Sequence, residues 1–269
     1  MYPHVLCILL LAGLCWSASA NADSDPMDTS DAASLGAYRA LGQSLQIPGV
    51  TENSSGLTYS SKTKSLFVVI DSPASIVEFT PGGGKKRKIN LRGFDDPEGI
   101  TYIGNDTFAI VDEKSGSLFI FEIRKNTKVV KRKDCQSIQV DRGGTNVGLE
   151  GITYDPKSKQ YFVVKEKDPR KIFRVSPSGN ISIPWDVEAK SLGLGDLSDV
   201  YFDSRTGRLI LLSHESKMAV ECTVNGQEIA RLSFTMQKAE GLTIDENGIL
   251  YICGEPNSLQ LFRKQDEAQ

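Results

Sequence analysis

Histidine is almost missing from this chain: its 269 residues include two, His4 and His214. A serine–histidine–acid centre would have to be assembled around "LSHES", residues 212–216, and no nucleophile-elbow sequence stands anywhere. Cysteine is also scarce. Beyond the opening segment only Cys135, Cys222 and Cys253 remain, which permits at most one intrachain bridge and excludes a disulfide framework as the source of stability. All three sit in apolar runs, where a small buried hydrophobe is the ordinary role. No run after the first residues is long and apolar enough to span a bilayer. No glycine-rich phosphate loop follows a strand, and "PGGGKKRK", residues 81–88, lacks the P-loop spacing. The formal net charge is −3, and the positive charges are scattered except for Lys85-Lys86-Arg87-Lys88, so no face suited to nucleic acid is evident. Coming directly after Pro81-Gly82-Gly83-Gly84, that run reads as a solvated hairpin turn, with an anionic-surface patch as the lesser reading.

The first residues read as targeting rather than fold. "VLCILLLAGL", residues 5–14, is too short for a membrane span, and the small residues of "SASANA" behind it fit a signal-peptidase site. The expected organisation is a signal peptide over 1–22, a linker over 23–36 and one domain over 37–269, in a secreted or periplasmic monomer. Asn53, Asn105 and Asn180 each open an N-x-S/T sequon.

What the chain has in quantity is a repeat. Five segments share one plan: "SSGLTY" from Ser54, "PEGITY" from Pro97, "LEGITY" from Leu149, "LSDVYF" from Leu197 and "AEGLTI" from Ala239. Each reads as a short strand, a polar turn and a second apolar strand. The second residue of each segment is Ser55, Glu98, Glu150, Ser198 and Glu240, at intervals of 43, 52, 48 and 42 residues. Such intervals suit a four-stranded blade. Third strands follow at residues 75–80, 117–123, 171–176, 218–224 and 258–264, rich in β-branched and aromatic residues. Fourth strands follow at 88–93, 127–140, 180–185 and 228–234, and the last repeat has none of its own. Residues 38–56 instead resemble a fourth strand with its connection. The fold class is therefore all-β, a five-bladed β-propeller of four-stranded blades, closed by the N-terminal strand pairing into the last blade.

In such a ring the first strands line the central channel, so Ser55, Glu98, Glu150, Ser198 and Glu240 converge. Carboxylates crowded there repel one another, and burial makes each harder to ionise. A hard divalent cation, Ca2+, would neutralise them through several oxygen ligands in loose geometry. The candidate metal ligands are Glu98, Glu150, Glu240, Ser55, Ser198 and Asp199, with Asp96, Asn146 and Asp196 as neighbours. The competing reading gives these carboxylates backbone N–H partners in the next blade. A second series ends the second strands: Glu113, Glu166, Glu215 and Glu255, with Asp71 near the matching place and His214 beside them. It forms either a channel-mouth pocket for an unidentified small ligand or protein, or plain charge pairing with the neighbouring lysines.

Taken in order, "SSGLTY", "EGITYIGND", "NVGLEGITY", "KEKDP", "LSHES", "AEGLTID" and "GEPN" resemble the SdiA-regulated (YjiK-like) β-propeller family over nearly the whole chain. More distantly the chain is similar to NHL-repeat, regucalcin and paraoxonase propellers. The resemblance implies a five-bladed propeller in an exported protein with a calcium site. It also implies that an acid or amide just before a strand-opening glycine holds a channel metal, which falls on Glu98, Glu150 and Glu240. Ser55 and Ser198 depart from that pattern. Two functions follow as expectations: a calcium-binding module for a ligand or partner, and a calcium-dependent esterase, lactonase or phosphatase-like hydrolase.

Overall fold

A computed structural model describes residues 34–141 and 148–265. The signal-peptide reading and Asn146 lie outside the described residues. Five sheets, antiparallel but for one added strand, stand around a common axis, one per sequence repeat. Their innermost strands are Ser54–Ser60, Pro97–Gly104, Leu149–Asp155, Asp199–Asp203 and Lys238–Ile244. Blades 1 to 5 are numbered from these.

Burial is greatest in the second strands and lowest in the outer ones, and the sequence pattern follows it. The second strands are buried at every position, as in Ser65–Ile70, or at all but one end residue, so they read as nearly unbroken apolar runs. Outer strands alternate, as in Lys85–Arg92, where Ile89 and Leu91 point inward between exposed lysines and arginines. The core consists of five apolar clusters among the described residues, each filling the gap between two adjacent blades. Phe67 and Ile89 of blade 1, for example, pack with Ile100, Phe108 and Phe119 of blade 2. Each blade buries its faces only against neighbours, so the ring must close to be stable.

Closure uses the N-terminal segment. Tyr38–Ala40 and Leu45–Gln46 both pair antiparallel with Ser258–Lys264, the third strand of blade 5, in the register Arg39↔Arg263 and Leu45↔Leu259. Buried Leu35 anchors the entry, its N–H donating to Glu221 Oε2 at 2.7 Å.

Three expected elements differ. The long fourth strand of blade 2 over 127–140 is divided. Val129–Lys131 leaves its own blade and pairs in parallel with the outer strand of blade 1, a 3₁₀ turn follows at Arg132–Asp134, and only Gln136–Gln139 pairs with Ser117–Glu122. Cys135 therefore lies between the two rather than inside a strand, and Cys135, Cys222 and Cys253 are all free thiols. The outer strand of blade 3 shrinks to Ile181–Ser182, because Pro184 offers no N–H and Trp185 turns in to donate to Val224 O at 3.0 Å. The run Lys85–Lys88 is strand, not turn, since the turn ends at Gly84, which is bonded back to Thr80.

The repeated threonine joins the blades. Thr58, Thr153 and Thr243 are buried, and each hydroxyl oxygen accepts the backbone N–H of the next blade: Tyr102 at 3.0 Å, Phe202 at 2.9 Å and Tyr59 at 3.2 Å. Thr153→Val keeps the shape and strands the Phe202 N–H. The expected loss is about 1–3 kcal/mol, read as a lower Tm in thermal unfolding, whereas an unchanged Tm would show that these bonds contribute nothing net.

Candidate functional site

The innermost strands of blades 2, 3 and 5 open with an acid–glycine pair, and that of blade 1 with serine–glycine, for a steric reason. A Cβ at Gly99 would lie 2.4 Å from the carbonyl oxygen of Glu150, and one at Gly56 would lie 2.6 Å from that of Glu98. Gly151 and Gly241 face the next blade at 2.5 Å in the same way. Backbones this close leave no room for a side chain, so glycine is required at this position in blades 1, 2, 3 and 5. The residue just before is then carried to the channel wall.

The result is a cavity of about 170 Å³ lined by Ser55, Glu98, Glu150, Ser198 and Glu240 from the first strands and by Asp71, Glu166, His214 and Glu255 from the ends of the second. Six of these nine side chains are carboxylates, and none is lysine or arginine. Lysines stand at the rim: Lys167 reaches Glu166 at 3.2 Å and Glu215 at 2.6 Å, Lys238 reaches Glu255 at 2.8 Å, and Lys114 reaches Asp96 at 3.0 Å. Charge pairing and a pocket thus coexist at this mouth.

Three of the residues singled out in sequence stand off the lining. Asp199 occupies the glycine position of blade 4, and its carboxylate accepts the N–H of Val200 at 2.8 Å and of Leu242 in blade 5 at 2.7 Å. It is a tie across the narrow tier of the channel. Glu215 is one residue past the equivalent position, which His214 fills, and it pairs with Lys167 outside. Glu113 sits behind the wall, beside Asp96. Two carboxylates that the sequence placed only as neighbours belong to tight groupings. The donor atoms of Asp71, Asp96 and Glu98 lie within 4.8 Å of one another, and so do those of Glu166, Asp196 and His214. Asp196 is fully buried; one of its oxygens accepts from Ser213 Oγ, and the other lies 2.7 Å from His214 Nδ1. Its position just before the blade 4 repeat is the sequence signal for this role.

The electrostatics follow from crowding and burial. Desolvation raises the carboxyls of Glu98 and Glu150 well above the usual range; Asp71 adds repulsion at Glu98, and Glu98 itself adds repulsion at Glu150. A hydrogen bond from Ser55 works the other way at Glu98. Burial pushes Glu240 up to about 7, moderated by His214, whose Nδ1 is 3.8 Å from its carboxylate. Burial also works to raise Asp196, but its interactions with His214 and Ser213 prevail and hold it low. In return Asp196 raises His214. Ser198 donates to Ala239 O at 2.8 Å, which ties it to blade 5.

A larger cavity of about 540 Å³ opens at the opposite mouth, among Tyr59, Tyr102, Tyr154 and Tyr201. Its charged groups are already satisfied: Asp203 holds Arg205 at 2.9 and 3.0 Å, and Asp245 accepts from Asn247 N, Ile249 N and Tyr251 Oη. The smaller, acid-lined cavity is where unsatisfied chemistry is concentrated.

Fold and cavity together define a closed five-bladed propeller with an acid-lined channel mouth. The chain belongs to the SdiA-regulated family, whose profile matches residues 30–263. Solved structures show the same fold at low identity. A chain of a nidogen/laminin complex is 20% identical with a TM-score of 0.54, covering 76% of this chain and 73% of that one. A calcium-binding protein, regucalcin, from Agrobacterium tumefaciens is 13% identical with a TM-score of 0.53, covering 79% and 90%. A luciferin-regenerating enzyme is 10% identical with a TM-score of 0.52, covering 82% and 95%. Among the described residues no helix is long and apolar enough to cross a membrane.

Proposed function

We propose that this is an exported, calcium-stabilised propeller that binds a ligand or partner at its acid-lined mouth. The observation that carries the reading is six carboxylates around about 170 Å³ with no lysine or arginine in the wall. Left alone, such a group repels itself and resists ionisation; a bound divalent cation reverses both effects. The donor set fits. Carboxylate and hydroxyl oxygens dominate, which suits calcium over zinc, and the all-oxygen triad Asp71, Asp96 and Glu98 would hold it together with Glu150 and Glu240. When bound, calcium supplies positive charge to the mouth and an attachment point for an oxygen-bearing ligand. The chain's own residues position that ligand, with Ser55 and Ser198 as hydroxyls in the wall and Lys167 and Lys238 at the rim.

The test is thermal unfolding in EDTA and in calcium, with metal analysis of the purified protein. Calcium at about a hundred times its dissociation constant stabilises by about 2.7 kcal/mol, which is roughly 5–10 °C in Tm for a domain of this size. Equal melting in both conditions, with no metal retained, would remove the proposal.

His214 favours a second reading, a calcium-dependent hydrolase. It is the one histidine of the described residues; it lines the cavity, and its Nδ1 lies 2.7 Å from Asp196 Oδ2, which places an imidazole able to hold or move a proton in the wall. Saturable turnover of an ester or lactone that is lost in His214→Asn while calcium stabilisation persists would establish it.

A further inference from the structure

Dividing residues 127–140 between two blades builds a basic strip on the outer wall. In sequence the basic run of residues 85–88 and the run "RKNTKVVKRK", residues 124–133, are separated by 35 residues. The fold lays them side by side. Val129–Lys131 runs parallel to the outer strand of blade 1 with Asn90↔Val129 and Arg92↔Lys131 in register. Val130 is buried with Ile89 and Leu91, so the alternation of a strand turns Arg92 and Lys131 to the other face, the face that also carries Lys88. Arg87 fastens the turn before the added strand, donating to Arg124 O and Lys125 O, both at 2.7 Å. Arg132 fastens its far end through Asp95 at 2.7 Å.

Some of the charge is neutralised internally. Buried Glu78 takes Arg87 at 2.5 Å and Lys86 at 3.2 Å, and Glu122 takes Arg124. By contrast Lys85, Lys88, Arg92, Lys125, Lys128 and Lys131 are exposed and pair with no carboxylate among the described residues. Lys85, Lys88, Arg92 and Lys131 stand on the two paired strands and Lys125 and Lys128 on the turn before the added one, a basic strip in a chain of net charge −3. A fixed row of like charges is unfavourable to the fold by itself, and it is matched by an extended anion carrying charge at regular spacing.

We propose that the outer edge of blade 1, with the strand added from blade 2, is a docking surface for a linear anionic polysaccharide bearing sulfate groups. Two features of the surface argue against a membrane and against single-stranded nucleic acid, and leave a linear polyanion read by charge alone. Among the described residues the exposed large hydrophobic side chains are Leu41, Leu45, Ile181, Ile183 and Ile229, all on blades 3 to 5, so the stripe itself offers none to insert into a bilayer. The aromatic rings packed beneath it, Phe94, Phe119 and Phe121, are buried between blades 1 and 2, Phe79 opposite Lys85 is buried too, and none offers a platform for stacked bases. Recognition is left to charge along a line. Lysine and arginine spaced along a strand meet sulfates as point charges, each displacing counterions.

The probe is dextran sulfate, with neutral dextran of the same length, duplex DNA and phosphatidylserine vesicles as the other arms, all against the full chain. Wild type is expected to bind dextran sulfate but not neutral dextran, and to bind it more tightly than the DNA or the vesicles. Log affinity falls linearly with log salt. Lys88→Glu/Arg92→Glu/Lys131→Glu should weaken binding about tenfold or more and make the salt slope shallower by about one for each cation removed. The charge-matched control Lys157→Glu/Lys190→Glu/Lys264→Glu should change neither appreciably. The milder Lys88→Gln/Arg92→Gln/Lys131→Gln, checked by its melting curve, should show the same direction and separates loss of the surface from loss of the fold. Equal weakening by stripe and control variants would overturn the proposal, as would tighter binding to DNA or to vesicles.

Discussion

Glu240→Gln is expected to stabilise the metal-free protein at pH 8 and to weaken calcium binding in the same molecule. Burial holds the Glu240 carboxyl at about 7, against 4.5 for an ordinary glutamate, and its side chain is only 17% exposed. Between those values the folded state binds the proton and the unfolded chain does not. The stability contributed is fully present below about pH 4.5 and is lost as the pH rises through about 7. The span corresponds to something on the order of 3 kcal/mol. Without calcium, wild type should therefore melt higher at pH 5.5 than at pH 8. Glu98 and Glu150, raised for the same reason, work in the same direction, and so does His214 as it loses its proton. Glutamine removes the titration at position 240, flattens this pH dependence and raises Tm at pH 8 by several degrees. Calcium is expected to reverse the order, because an ionised carboxylate is the form that a divalent cation binds. Wild type should gain more from calcium at pH 8 than at pH 6 and should release protons on binding, and the variant should show less of both. Melting curves at two pH values with and without calcium test all of this at once. A variant less stable than wild type in EDTA at pH 8 would mean that Glu240 is a satisfied structural acid.

Much of this site is legible in the repeat, and the reason is geometric. Once five segments share a register, residues at one position of the repeat must share one tier of the ring, which is why Ser55, Glu98, Glu150, Ser198 and Glu240 face a common space. The strand order and the closure by Tyr38–Ala40 follow from counting strands in the same register. Other parts depended on what lies across from a residue. Asp199 reads as one more acid, yet in the tight glycine tier its carboxylate meets the Leu242 N–H before it can reach the cavity. Glu215 differs from His214 by one step along the chain, and in a strand-end series one step exchanges the wall for the outside. Residues 127–140 hold two β-branched stretches, Val129–Val130 and Ile138–Val140, around the charged Lys131–Asp134, so the break is legible in composition, and only the unpaired edge of blade 1 decides that Val129–Lys131 pairs there.

The glycine behind the acid supports the second large effect. Gly99→Ala places a methyl group 2.4 Å from the Glu150 carbonyl oxygen and 2.8 Å from the Gly151 Cα, both backbone atoms that no rotamer change can move. Relief requires blades 2 and 3 to part along the channel. That strains the packing of Ile152, Val163 and Phe173 against Ala109, Val111 and Leu118. The expected cost is more than about 3 kcal/mol, or a fall in Tm of about 10 °C, and the chain falls short of folding if its margin is smaller. Gly82→Ala is the control, because a methyl group there meets nothing nearer than Thr80 Oγ1 at 4.0 Å. It should melt within a degree or two of wild type. The same substitution at Gly99 carries a functional signature. Parting the strands separates Glu98 from Glu150, so any folded Gly99→Ala should bind calcium more weakly and show a smaller difference in stability between acid and neutral pH. The acid and the glycine therefore act as a unit: the glycine permits an approach that the carboxylates alone would resist, and the carboxylates give that approach a use. Gly99→Ala protein that melts with wild type and retains its calcium response would show that close approach of the strands does not create the site.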